Sequence, residues 1–153
     1  MKRWVLAGIV AAASLPADAQ TSSVMGTWLT EGNTAHIRLA PCPDASRGPL
    51  CGTIARLLEA RGADGKPVDP ALAVDHRNAD LNLRRRRIQG MIFLYDFKNG
   101  SEPDSFEGGT IYNPEDGKTY NANVSLQADG RLRLRGYAGL PMFGKTQVWT
   151  RLQ

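Results

Sequence analysis

The chain has 153 residues, a formal net charge of +4, 42% hydrophobic residues and two cysteines. That length supports one core and not a second independent one. The mild basicity falls well short of a nucleic-acid footprint, and with no phosphate loop, dinucleotide fingerprint or zinc spacing, neither a cofactor nor a bound metal is expected.

The first stretch, MKRWVLAGIVAAASLPADAQ, has a basic start at Lys2 and Arg3, an apolar run from Trp4 to Leu15, and small residues at Ala17 and Ala19. This predicts a signal peptide over 1–19, cleaved after Ala19, because the run is too short to span a bilayer. Residues 20–153 would then form a single domain of charge +3, since Lys2 and Arg3 leave together with Asp18. The expected location is the periplasm or the exterior.

Beyond the leader the dominant period is two, and no long helical face occurs. Strands are predicted at 24–30 and 34–40; in the second, Ala35, Ile37 and Leu39 alternate with Thr34, His36 and Arg38. Next comes CPDASRGPLC. With export expected, Cys42 and Cys51 read as a disulfide, which would add about 2.7 kcal/mol by restricting the unfolded chain. A strand follows at 51–58.

Residues 64–89 carry no strand pattern, and near their end stands LRRRRIQG with Arg84, Arg85, Arg86 and Arg87. The next strand, MIFLYDF at 91–97, is apolar on both faces: Met91, Phe93 and Tyr95 on one, Ile92 and Leu94 on the other. Such a strand needs cover on both sides, and 64–89 is the natural cover, with a short helical turn near Asn78 to Asp80. The arginine run is either a solvated face or a contact for an anionic membrane surface.

The remainder reads as a meander at 106–112, 118–126, 131–137 and 145–151. Asp-Gly pairs in NPEDGK and QADGR mark two hairpins. Gly108 and Gly109, mid-strand, predict a bulge or barrel corner. The loop AGLPMFG, 138–144, is unusually apolar for a turn, so Leu140, Met142 and Phe143 either plug one end or form a mouth or contact patch. The last strand, GKTQVWTRLQ, puts Trp149 and Arg151 on one face. About eight antiparallel strands with one covered side predict an all-β, closed, eight-stranded up-and-down barrel, because closure removes exposed edges. Such a barrel is filled by side chains or holds one small ligand. Ile37, Phe93, Tyr95, Tyr120, Val124 and Leu134 are the candidate ligand-lining residues, joined by Met142 and Phe143 if the loop forms a mouth.

Catalysis has little to stand on. Asp104, Glu107, Glu115 and Asp116 cluster in sequence, but acids in Asp-Gly turns are ordinary. A hydrolase would need Asp104 or Glu107 to converge with His76, and the chain is read as a non-enzymatic protein.

Several segments together carry a family resemblance: GTWLT, LCGTIARL, the spaced motif Asp75, Asn78, Asp80, Leu83, Arg84, Arg86, then FEGGTIYNPEDGKTY and RLRLRGYAGLPMFGKTQVWTR. They resemble the bacterial secreted family catalogued as domain of unknown function 2147, across nearly the whole mature chain; Ala79 and Arg87 stand where that pattern leads one to expect prolines. The resemblance implies a calycin or lipocalin-like barrel in a Gram-negative envelope, and a small, mostly apolar ligand. It also implies a barrel-closing pair, Gly-x-Trp on the first strand and an arginine on the last. Gly26 and Trp28 match the first element and Arg151 the second, with Arg135 as the alternative. Oligomeric state is not legible in the pattern.

Overall fold

A computed structural model describes residues 23–152. The expected signal peptide, 1–19, lies outside the described residues, as does the side chain of Phe143.

Nine strands run β1 Gly26–Leu29, β2 Ala35–Ala40, β3 Cys51–Leu57, β4 Ile92–Tyr95, β5 Lys98–Asn99, β6 Ser105–Asn113, β7 Lys118–Leu126, β8 Leu132–Tyr137 and β9 Lys145–Arg151. Neighbours pair antiparallel in the order β4, β3, β2, β1, β9, β8, β7, β6, and β4 pairs back onto β6. The result is a closed eight-stranded barrel. The two-residue β5, which the alternation did not predict, pairs Lys98 with Glu107 and Asn99 with Phe106 at the start of β6.

Period-two patterning decides what faces inward. On β2, Ala35, Ile37 and Leu39 are buried while Arg38 is exposed. Register partners Val124 and Leu134, and Leu132 and Trp149, carry the buried face across β7, β8 and β9. Gly52 lies between Leu39 and Leu94 in the ladder. A Cβ there would fall 2.7 Å from Leu94 Cδ1, so the missing side chain is what lets these two leucines meet. At β6 the register shifts between Phe106 and Gly109. Gly108 adopts φ +62° and donates its N–H to Asn123 Oδ1 at 3.0 Å, which makes the predicted bulge.

Strand direction gives the barrel two unlike ends. One collects the termini, the β2–β3 loop and the Asp96 to Asp104 connection. There Val24, Leu50 and Phe97 are fully buried, and the disulfide Cys42–Cys51 clips the β2–β3 loop. Trp28 and Arg151 are register partners on β1 and β9. The Arg151 guanidinium lies 4.2 Å from the Trp28 ring centroid, donates to Met25 O at 3.0 Å and also donates to Ser23 O. This end is sealed. Arg135 acts elsewhere. Its Nε donates to Pro141 O at 2.6 Å and its guanidinium to Thr146 Oγ1 at 2.7 Å, tying down the 138–144 loop.

The opposite end collects the β1–β2 turn, the long 58–91 connection, the β6–β7 turn and the 138–144 loop. The long connection folds as a strap. Its arms pair through Asp75 N to Arg86 O at 2.9 Å and Ile88 N to Ala73 O at 3.1 Å. Short 3-10 turns occur at Pro70–Leu72 and Leu81–Leu83, each capped by the preceding aspartate, Asp69 and Asp80. Ala73, Ile88 and Met91 bury against the barrel beneath it. The helical turn opens at Asp80, its N-cap, as expected near Asn78 to Asp80. Gly117 adopts φ +72° in the β6–β7 turn, and a Cβ there would sit 1.9 Å from Arg77 O. Glycine is needed twice over at this place, for the turn and for the close approach of the strap.

Candidate ligand-binding cavity

Inside the strap end is a cavity of about 430 Å³. Its walls are Ala35 and Ile37 from β2, Ile54 from β3, Phe93 from β4, Ile111 from β6, Leu134 from β8 and Trp149 from β9. Thr30, Thr34, Asn113, Glu115, Asp116, Tyr120, Tyr137, Lys145 and Gln147 supply the polar groups. Apolar walls combined with convergent polar groups are the usual lining of a small-molecule site, and here the polar share is large.

Of the residues predicted from sequence, Ile37, Phe93, Tyr120 and Leu134 line this space. Val124 does not; it is 1% exposed and belongs to the packed core, paired with Phe106 and Leu134. Tyr95 does not either. It ends β4, just before Asp96 turns to φ +62°, and its ring lies under Arg47, whose Cζ is 4.3 Å from the centroid. The β4 alternation also breaks near the register shift at Gly52 and Thr53: Met91, Phe93 and Leu94 are all buried while Ile92 is 39% exposed. In the 138–144 loop Leu140 and Met142 are exposed, so neither of them plugs the barrel, and the loop forms one side of the mouth.

Ile54, Ile111 and Trp149 were missed. Each lay on a predicted strand in a position that alternation places inward: Ile111 two residues after Gly109, and Trp149 two before Arg151. Tyr120 donates its hydroxyl to Asp116 Oδ2 at 2.5 Å, and that hydrogen bond raises the phenol's pKa above its ordinary value.

The strap is anchored by a polar cluster that periodicity could not reveal. Asp75 is 0% exposed. Its Oδ1 accepts from the Tyr112 hydroxyl at 2.6 Å, and its Oδ2 accepts from Asn78 Nδ2 at 2.8 Å and from the Arg86 guanidinium at 2.9 Å. Burial first, and the hydrogen bond to Asp75 second, push the Tyr112 pKa up to about 12. The arginine run is therefore not four equivalent surface charges. Arg86 pairs with Asp75, Arg84 Nε donates to Asn78 O at 2.8 Å, and Arg87 donates to Leu72 O.

The acids considered for hydrolysis do not meet a histidine. Asp104 and Glu107 belong to the sealed-end side of β6, whereas His76 lies in the strap at the other end. Six residues of extended chain, about 20 Å, separate those ends along β6. Among the described residues, no three His, Cys, Asp or Glu side chains converge as metal ligands.

The profile of a family described as an uncharacterized protein conserved in bacteria, DUF2147, matches residues 26–151. The chain belongs to this family. Among solved structures, the DUF2147 chain is similar to one titled "Protein HP1028 from the human pathogen Helicobacter pylori belongs to the lipocalin family". The two share 26% identity with a TM-score of 0.66, over 87% of this chain and 85% of that one. No curated protein matches the sequence. Within this DUF2147 chain the spaced motif Asp75, Asn78, Asp80, Leu83, Arg84, Arg86 has a definite physical role. It supplies the buried carboxylate, its donors, and the cap of a 3-10 turn. The likeness to a lipocalin accords with a barrel that has one sealed and one open end.

Proposed function

We propose that this protein is an exported, non-enzymatic carrier that holds one small, mostly apolar molecule in the barrel. The observation that carries this reading is the cavity of about 430 Å³, walled by Ile37, Ile54, Phe93, Ile111, Leu134 and Trp149 behind a polar rim. Space of that size suits a compact ligand of the drug-size class. Export rests on the leader pattern at 1–19 and on the Cys42–Cys51 disulfide, which persists in oxidising compartments.

The test is uptake of an anilinonaphthalene dye, with Trp149 emission as the internal reporter. Wild type binds the dye saturably. In Gly136→Leu the new side chain grows from a cavity-lining position whose Cβ meets only Ile111 Cγ2 at 3.8 Å and Asn121 O at 3.9 Å, ordinary contacts. The variant therefore keeps its unfolding midpoint and loses affinity by about tenfold or more, roughly 1.4 kcal/mol. Absence of saturable uptake by wild type, together with no small molecule released from native protein on organic extraction, removes the proposal.

A second reading, contact with an anionic envelope surface, is favoured by the exposure of Leu72, Leu81, Leu140 and Met142 at the mouth end. It falls to Arg85 more than to its neighbours, because Arg84, Arg86 and Arg87 hold the strap together. Sedimentation with anionic vesicles that is absent, or unchanged in Arg85→Ser, removes it.

A further inference from the structure

A second cavity, of about 450 Å³, lies between the first turn of the strap, its later arm and the barrel rim. Leu57, Glu59, Ala60, Arg61, Gly62 and Gly65 line it from the end of β3 and the turn beyond, and His76, Arg77 and Ile88 from the strap. Thr34, Pro114 and Glu115 line both this cleft and the barrel cavity, so the two share a wall at the mouth.

The cleft differs from the barrel in chemistry. Four of its residues are charged: Arg61 and Arg77 against Glu59 and Glu115. All four are exposed at the cleft, Arg61 Nη1 donates to Gly65 O at 3.0 Å, and among the described residues none of the four is paired with an opposite charge within 4.0 Å. His76 adds a polar atom without a partner. Its Nδ1 lies 3.3 Å from Val74 O, but its Nε2 is buried and among the described residues meets no hydrogen-bonding group. A buried polar atom left unpaired is unfavourable, so it is a place where a ligand group would add stability.

We infer that the two cavities form one site for a single-chain amphiphile whose tail enters the barrel and whose zwitterionic head lies in the strap cleft. This rests on the carrier reading above and specifies its ligand class. The unpaired acids and bases match a head that carries both signs: an anionic group faces Arg61, Arg77 and His76, and a cationic group faces Glu59 and Glu115. Thr34 and Pro114, which line both spaces, mark the rim over which head and tail would join.

The experiment uses full-length mature protein and four amphiphiles that share one medium-length alkyl chain. Their heads are phosphocholine, phosphate, trimethylammonium and neutral glucoside, each used below its micelle concentration. Trp149 fluorescence reports tail entry, and the His76 imidazole resonances report the head. The expected order places phosphocholine first, about tenfold tighter than any of the other three. The phosphate-bearing heads shift the His76 signals and the glucoside does not. In Glu59→Gln/Arg77→Gln the phosphocholine affinity falls to that of the glucoside. If all four bind equally with a Trp149 response and a silent His76, the head cleft is overturned and the barrel reading stands. If none perturbs Trp149, both fall together.

Discussion

At the residue scale, Tyr112 shows how one buried hydroxyl ties ionisation to folding. Its phenol stays protonated because burial and the hydrogen bond to Asp75 both oppose a phenolate there. The folded pKa, about 12, exceeds the ordinary value of 10.0. Protonated tyrosine is thus favoured by folding: its contribution is complete below the unfolded value and is lost as pH rises through the folded one. Chemical unfolding at a series of alkaline pH values should give a stability that falls between about pH 10 and 12, and Tyr112→Phe should flatten that decline. An unchanged slope in the variant would assign the alkaline loss elsewhere. Tyr112 was visible in the sequence only as part of a strand. Nothing in its neighbours pointed to Asp75, which is 37 residues away.

At the element scale, the strap is the part of the molecule that local patterning left blank. Its exposed leucines at 72, 81 and 83 give no face to read, and it is held by hydrogen bonds together with the burial of Ala73 and Ile88. The Asp75 carboxylate gathers Tyr112, Asn78 and Arg86, so Asp75→Ala leaves a guanidinium, a hydroxyl and an amide without an acceptor. Arg86 is 40% exposed and can turn to water, so the loss falls on the buried Tyr112 hydroxyl and Asn78 amide, about 1–3 kcal/mol. The expected result is early amide exchange and proteolytic cleavage within 64–89, while the amides of β7 and β8 stay protected. Uniform loss of protection would make the strap part of the global unfolding unit instead. The strands are the opposite case. β7 coincides with its predicted range, as does β9, because alternating side chains and Asp-Gly turns are local signals that tertiary contacts only reinforce.

At the scale of the whole molecule, closure depends on two short seams. β1 meets β9 through only two register pairs, Trp28 with Arg151 and Leu29 with Thr150, and β4 meets β6 through two more. Arg151 reinforces the first seam by stacking on Trp28 and by donating to the carbonyls of Met25 and Ser23. Arg151→Ala should lower stability by about 2–3 kcal/mol, combining a cation–π contact with two hydrogen bonds. Urea unfolding measures it. Arg151→Lys should recover only part of the loss, since a compact ammonium cannot stack flat and reach both carbonyls. Full recovery would mean that charge alone matters at the sealed end.

The sequence by itself determined the eight barrel strands, the two hairpins, the bulge at Gly108 and the cysteine pair, because each depends on period-two burial or on the chemistry of a few adjacent residues; the two-residue β5 it did not. Closure was inferred from edge avoidance, and four of the six lining residues predicted from alternation line the cavity. Only the tertiary structure decided which end opens, that Tyr95 and Val124 stand outside the cavity, and that three of four arginines hold the strap. Those outcomes depend on register shifts and on partners distant in sequence, such as Asp75 with Tyr112 and Gly117 with Arg77. Such contacts leave no periodic trace along the chain.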